Sequence, residues 1–345
     1  MGECILVRKS GGGTGTLTNI NVVSNPTKTT YTEGDTLDLR GLSVNANYGG
    51  TKDVTNSCTI SPTNGTKLST SGTNTVNVSY SEKGISKTTS FNIIVKPSLE
   101  IVTWAGGTDA QIAAMVAAAD AGTINLLDYW SVGQERKVAL SAMAATGVDE
   151  SHVAQTVTMA LMNAGGKTLV TPTASGRTTC SFIVGLKNGL ANGTTGEYGY
   201  MNSSSTNTNG WDGCLRRPWC NNIFYNAIPS TLIGIFKQFK NVTANGSDST
   251  TTESNDYFAL PAEKEIFGTN SYANSTAETS LSQFTYYATS SNRIKTCGDL
   301  GSANLWWERS PYSGNSSFFC IVHSGGSAGY INANDAYLLA PFGCI

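Results

Sequence analysis

Apolar and polar residues alternate with period two in three stretches early in the chain. These are Leu42, Val44, Ala46 and Tyr48; Val76, Val78 and Tyr80; and Phe91, Ile93 and Val95. Alternate residues of a strand share a face, so each stretch predicts a half-buried β-strand. Glu82, Lys83 and Gly84 sit where a hairpin turn joins the last two. Residues 16–97 thus predict an all-β domain of sandwich size, closed by Pro97. The period then changes. Ile112, Met115, Val116 and Ala119 share a helical face, with Thr108 or Asp109 to cap the start and Gly122 beyond the end. A second helix is predicted from about Asp149, burying Val153, Val157, Ala160, Leu161 and Ala164 and stopping at Gly165 and Gly166. His152 then lies in its first turn, as a capping or solvated residue. Between the helices, residues 124–130 read as a strand and 131–133 as its turn. Further on, residues 180–186 predict a buried strand and 189–209 a loop. Pro229 and Ser230 open a helix carrying Leu232, Ile235, Phe236 and Phe239, and 243–255 predict a polar loop. Glu263 and Glu265 read as the outward and inward positions of a further helix start.

The end of the chain has a different texture. Trp306, Trp307, Glu308, Arg309, Ser310 and Pro311 form a rigid block, and residues 339–345 form another. Positions 312–338 between them lack Lys, Arg, Glu, Gln, Met, Trp, Thr and Pro. A mixture of Tyr, Ser, Gly and Asn suits a recognition surface, because Tyr offers contact area with few rotors and the others adaptable hydrogen bonds. Cys320, Val322, Ser324, Gly326 and Ala328 alternate with Ile321, His323, Gly325, Ser327 and Gly329. The first set predicts the inward face of a strand and the second its outward face. Residues 329–337 read as a loop, and Glu308 and Arg309 as an ion pair supporting the strand.

Three resemblances attach to these motifs. Tyr31, Gly34, Asp35, Leu37, Asp38, Leu39, Gly41, Leu42 and Val44 are spaced as in bacterial immunoglobulin-like domains, which implies a spacer. The order W-x-x-x-L-R-x-x-W from Trp211, F-x-L-P-x-x-x-E-I-F-G from Phe258 and W-x-R-S-P from Trp307 resembles a domain of unknown biochemistry from gut bacteria and their phages. That likeness covers roughly residues 124–345 and is similar to the C-type-lectin-like fold. The W-x-R-S-P block, the run F-C-x-V-x-S-x-G-x-A from Phe319 and the closing A-P-F-x-C-I from Ala340 resemble the variable region of diversity-generating retroelement target proteins. This resemblance implies diversified contact positions at Tyr312, Ser313, Asn315, Ser316, Ser317, Phe318, Ile321, His323, Gly325, Ser327, Gly329, Tyr330, Ile331, Asn332, Asn334, Asp335 and Tyr337. Each has a codon ending in a pyrimidine, as mutated Asn codons do. The absent Lys, Gln, Glu, Met and Trp have none. The expected architecture is multidomain: an all-β immunoglobulin-like sandwich, then an α+β C-type-lectin-like domain. Residues 1–15 are an attachment segment and Gly-rich linker, 16–97 the immunoglobulin-like domain, and 98–345 the lectin-like domain with its variable region at 306–345.

Composition narrows the function. Only 13% of the 345 residues are charged and the net charge is −2, with no basic strip for nucleic acid. No apolar run is long enough to span a membrane. Residues 1–10 carry their basic residues after the apolar ones, the reverse of a secretory signal, and lack the Ser or Thr of a myristoylation site. The apolar Ile5, Leu6 and Val7 suit an assembly contact. With no export signal the eight cysteines are expected as reduced thiols. Cys214 and Cys220 lack zinc-site spacing, and His152 and His323 lie far off, so no metal is expected. No cofactor motif appears. No Ser/His/Asp arrangement is visible, and the sugar-binding triplets of calcium-dependent lectins are missing, so no catalytic residue is assigned. The expected role is a phage receptor-binding adhesin on the virion, made in the host cytoplasm. Its partners would be a bacterial surface receptor, glycan or protein, other virion proteins, and copies of itself, possibly three. The alternatives are a structural virion protein and a bacterial surface adhesin, with an oxidase a distant third.

Overall fold

The computed structural model describes residues 15–96, 98–145, 151–191, 199–299 and 301–345. The expectations for the N-terminal segment, for Pro97, for a helix start at Asp149 and for part of the 189–209 loop fall outside these residues. The chain divides into two compact units between Ser98 and Leu99.

The first unit contains seven strands: β1 (Asn19–Ser24), β2 (Thr30–Thr32), β3 (Ser43–Asn47), β4 (Thr51–Asp53), β5 (Thr59–Ser61), β6 (Gly72–Glu82) and β7 (Ile85–Lys96). They form two sheets, ordered β1-β3-β4 and β2-β7-β6-β5. The period-two residues do what the alternation predicts. Val44 and Ala46 of one sheet and Val76, Val78, Phe91, Ile93 and Val95 of the other are buried in one shared core. Removing such a side chain from water stabilises the fold by roughly 1.5–3 kcal/mol. Tyr31 is buried there too, and its hydroxyl donates to the Lys28 and Asp38 carbonyls. Glu82 pairs with Ile85, leaving a two-residue turn in which Lys83 and Gly84 both have positive φ, 49° and 79°. That geometry matches the twist of the strands it joins.

The second unit is mostly β with few helices. Its first helix, α1 (Asp109–Asp120), is capped as predicted. The Thr108 hydroxyl accepts from the Gln111 N–H, the Gln111 side chain accepts from the Thr108 N–H, and the four predicted apolar residues are buried. Residues 124–130 are not a strand. Asn125 caps a single 3-10 turn, Leu126–Asp128, and the strand β8 (Glu135–Leu140) comes later.

The second predicted helix is also a strand, β9 (Gln155–Ala164). Val157, Ala160 and Leu161 are buried as predicted, but Thr158, Met159 and Met162 between them are buried as well, while Val153 and Ala164 of the predicted face are exposed. A strand covered on both faces reads as a continuous apolar run, which spacing alone does not separate from a helix. His152 is correspondingly in no helix. Its backbone bridges to Met143, and its ring is buried 5.8 Å from that of Trp219.

Beyond β10 (Phe182–Leu186), buried throughout as expected, helical turns run from 210 to 227. The helix opened by Ser230 lasts only to Ile233, and Phe239 begins β11 (Phe239–Ala244). The predicted polar loop is instead a hairpin of β11 with β12 (Thr251–Asp256). Its inward residues include polar Asn241, Thr243, Ser254 and Asp256, which hid the strand pattern. Next come β13 (Phe258–Ala259), α2 (Glu263–Phe267), and the short pair β14 (Lys295–Thr296) and β15 (Ala303–Asn304). The last strands are β16 (Trp306–Pro311), β17 (Phe318–Val322), β18 (Ala328–Asn332) and β19 (Phe342–Cys344). A five-stranded antiparallel sheet, β13-β19-β10-β9-β8, holds the centre, and β16-β17-β18 form a separate sheet.

Candidate functional site

The three-stranded sheet carries the segment predicted as a recognition surface. Phe318 pairs with Asn332 and Cys320 with Tyr330. Cross-strand partners share a face, so Phe318, Cys320 and Tyr330 point one way and Phe319, Ile321 and Ile331 the other. The first face bears an aromatic cluster. The rings of Tyr312 and Tyr330 stack in parallel at 4.0 Å, and Phe318 lies 5.5 Å from Tyr330. Tyr272, outside the predicted segment, meets Tyr330 edge-on at 5.0 Å and Tyr312 at 6.1 Å. Tyr330 is 40% exposed despite these contacts.

The predicted positions divide. Ser313, Asn315, Ser316, His323, Gly325, Ser327, Tyr330 and Asn334 are exposed, and Tyr312, Ser317, Phe318, Ile331, Asn332, Asp335 and Tyr337 are half-buried. Two are corrected. Ile321 is buried opposite Trp307, and Gly329 is buried with the His323 ring lying against it. The expected alternation through Ala328 fails because the strand ends at Val322 and His323–Ser327 make a tight turn, closed by the Gly326 N–H to the His323 carbonyl at 2.8 Å. The return strand β18 occupies the start of the predicted 329–337 loop. Ile331 and Tyr337 also leave the cluster. Ile331 packs on the core, and Tyr337 lies 5.6 Å from Trp307.

Beneath the sheet is a buried ionic network, and it is not the pair expected. Arg309 is bidentate to Glu265, which Lys167 also contacts. Burial pushes the Glu265 carboxyl up, but Arg309 and Lys167 outweigh it and hold it at about 2. Glu308 lies apart from Arg309, and both its carboxyl oxygens are buried without a hydrogen-bond partner. Burial and the nearby Glu263 and Glu278 raise it well above the carboxylate range. Glu278 accepts from the Ser310 hydroxyl at 2.8 Å and is pushed by burial to about 7. Glu263 and Glu265 are both buried, so neither is the outward residue expected. Glu263 accepts from the backbone N–H groups of Ser271, Tyr272 and Ala273, and so fixes the turn that presents Tyr272. Among the described residues no group of three or more His, Cys, Asp or Glu is arranged to hold a metal ion.

Sequence reasoning missed Tyr272, and also Asn207, whose side chain holds the segment's backbone, and Ser205, whose hydroxyl lies between the Asn332 Oδ1 at 2.9 Å and the Ser317 carbonyl at 3.2 Å. None sits in a periodic pattern or motif that would single it out.

Residues 24–95 match the family model of the bacterial Ig-like domain (group 3). The first unit contains a bacterial Ig-like domain. The two-sheet packing around Val44, Val76 and Phe91 is the core of this Ig-like domain. Residues 186–342 match a domain of unknown function (DUF6273), within the stretch 124–345 that resembled such a domain by motif order. The aromatic cluster, the 201–207 segment and the ionic network apart from Lys167 lie in the DUF6273 match. No curated protein and no solved structure matches the chain.

Proposed function

We propose that this protein is a phage adhesin whose C-terminal, lectin-like domain binds a bacterial surface receptor through residues 312–335, diversified by a retroelement. The Ig-like domain acts as a spacer, and repeated copies on a virion raise avidity without new contacts. The observation that carries the reading is the cluster of Tyr272, Tyr312, Phe318 and Tyr330 at the surface. Aromatic side chains dominate binding hot spots, and this one is rimmed by exposed Ser313, Asn315 and Ser316 and by half-buried Asn332. Tyr312, Phe318 and Tyr330 are the anchors. No Lys or Arg lies in 312–338, so the surface suits an uncharged patch of receptor.

The test is a titration of labelled full-length protein onto a panel of gut bacterial strains, with Tyr312→Ala and Tyr330→Ala variants alongside. A hot spot of about 2 kcal/mol corresponds to roughly 30-fold weaker binding. Each variant is expected to lose at least that much while keeping the parent melting temperature. Unchanged binding points to a structural virion role instead. Deep sequencing of the gene's 3′ end tests diversification separately: a nearby near-copy differing at adenines is expected.

A further inference from the structure

The 312–318 segment is tied to its surroundings almost entirely through main-chain atoms. Asn207, fully buried, is the central contact. Its side-chain amide donates to the carbonyls of Tyr312 at 3.1 Å, Asn315 at 3.0 Å and Phe318 at 2.8 Å. Its own N–H donates to the Ser316 carbonyl at 2.6 Å. The Ser317 carbonyl accepts from the Ala333 N–H and the Ser205 hydroxyl. On the other side, the Ser313 N–H donates to the Tyr272 carbonyl, and Ala273 bridges to Tyr312. Five carbonyls of one exposed loop thus find donors without using the loop's own side chains. Two side chains of the loop bond to backbone: the Asn315 Oδ1 accepts from the Ser317 N–H, and the Ser313 hydroxyl donates to the Tyr272 carbonyl, where the Ser313 N–H already binds.

An irregular loop keeps one shape when its backbone groups are satisfied. Here the donors to these carbonyls lie outside the loop or on its backbone, so a change of side chain at 313, 316 or 318 removes none of the five carbonyl contacts. We infer that Asn207, assisted by Ser205 and by the Tyr272 turn that Glu263 fixes, is the positioning residue of the recognition surface. It sets the backbone of 312–318 so that the side chains at 313, 316 and 318 can change without moving it. The inference rests on the proposed receptor-binding reading for its purpose, but not for its geometry.

Two measurements test it in the full-length chain. Hydrogen exchange by mass spectrometry follows the peptide spanning 312–318 in Asn207→Ala and Ser205→Ala. Exchange there is expected to rise at least tenfold in the first and a few-fold in the second. Ser205 is exposed, so its variant folds whatever the fate of the first. In parallel, a display library randomised at 313, 316 and 318 is scored for protease resistance. Most members are expected to match the parent, and a separate library at 315 is expected to tolerate less, because the Asn315 side chain accepts from the Ser317 N–H. Unchanged exchange in both variants, or a library as protease-sensitive as Asn207→Ala, overturns the inference. If exchange and tolerance come out as expected while Tyr312→Ala and Tyr330→Ala still bind cells normally, the frame stands and the receptor reading fails.

Discussion

Glu278 provides the sharpest test of the buried network. Its carboxyl is pushed by burial from an ordinary 4.5 to about 7, with the charge of Arg309 only partly opposing. The folded state therefore keeps a proton that the unfolded chain has released. The stability tied to this proton is whole below pH 4.5 and is lost as pH rises through 7. Each pH unit inside that window is worth about 1.4 kcal/mol, so raising the pH from 5 to 7 removes about 2 kcal/mol through Glu278 alone. Glu308 and Glu263 are raised as well and steepen the fall. Glu265, held at about 2, acts the other way, but only as pH drops below 4.5. Buried Lys295, lowered to about 7, carries a constant cost below that pH and changes stability with pH only from there upward, where it rises. The assay is urea unfolding at pH 5, 6 and 7 followed by tryptophan fluorescence. All six tryptophans lie at positions 104–307, so the signal reports the second unit alone. Glu278→Gln keeps the shape without the proton. Its stability relative to the parent is expected to improve by about 2 kcal/mol between pH 5 and 7. Parallel pH profiles for the two proteins would refute the argument.

Two further outcomes follow from the same structure. Arg309→Met leaves Glu265 buried with Lys167 as its one remaining cationic contact, and is expected to destabilise the second unit by about 3–5 kcal/mol in the same fluorescence assay. Gly84→Ala adds a Cβ that meets nothing within 4 Å, so its cost is the positive φ alone, about 1 kcal/mol. Circular dichroism should show an earlier transition for the Ig-like domain, with the tryptophan-detected transition unmoved.

The sequence was easiest to read where one face of an element met water. Val76, Val78 and Phe91 announce their strands because polar residues separate them, and Thr108 with Gln111 announces α1. It misled where both faces are covered. The residues of β9 carry a helical spacing by coincidence inside an unbroken buried run. It was silent where burial is polar. Asn241 and Asp256 look like loop residues, yet they bond each other at 2.8 Å inside a hairpin. Residues 312–338 stood out by composition, and most of the predicted contact positions are exposed or half-buried. The partners of this segment did not stand out. Asn207 acts through carbonyls far away in sequence, and Tyr272 is brought up by a carboxylate that reads as an ordinary helix start.

The place of β19 bears on how the protein is made. This strand lies between β13 and β10, and the Ile345 carbonyl accepts from the Ser181 N–H at 2.6 Å. The central sheet thus has a gap until residues 342–345 leave the ribosome, after the whole of 312–338 has been translated. A chain cut short anywhere in that stretch lacks β19, so β13 and β10 lose the strand that joins them.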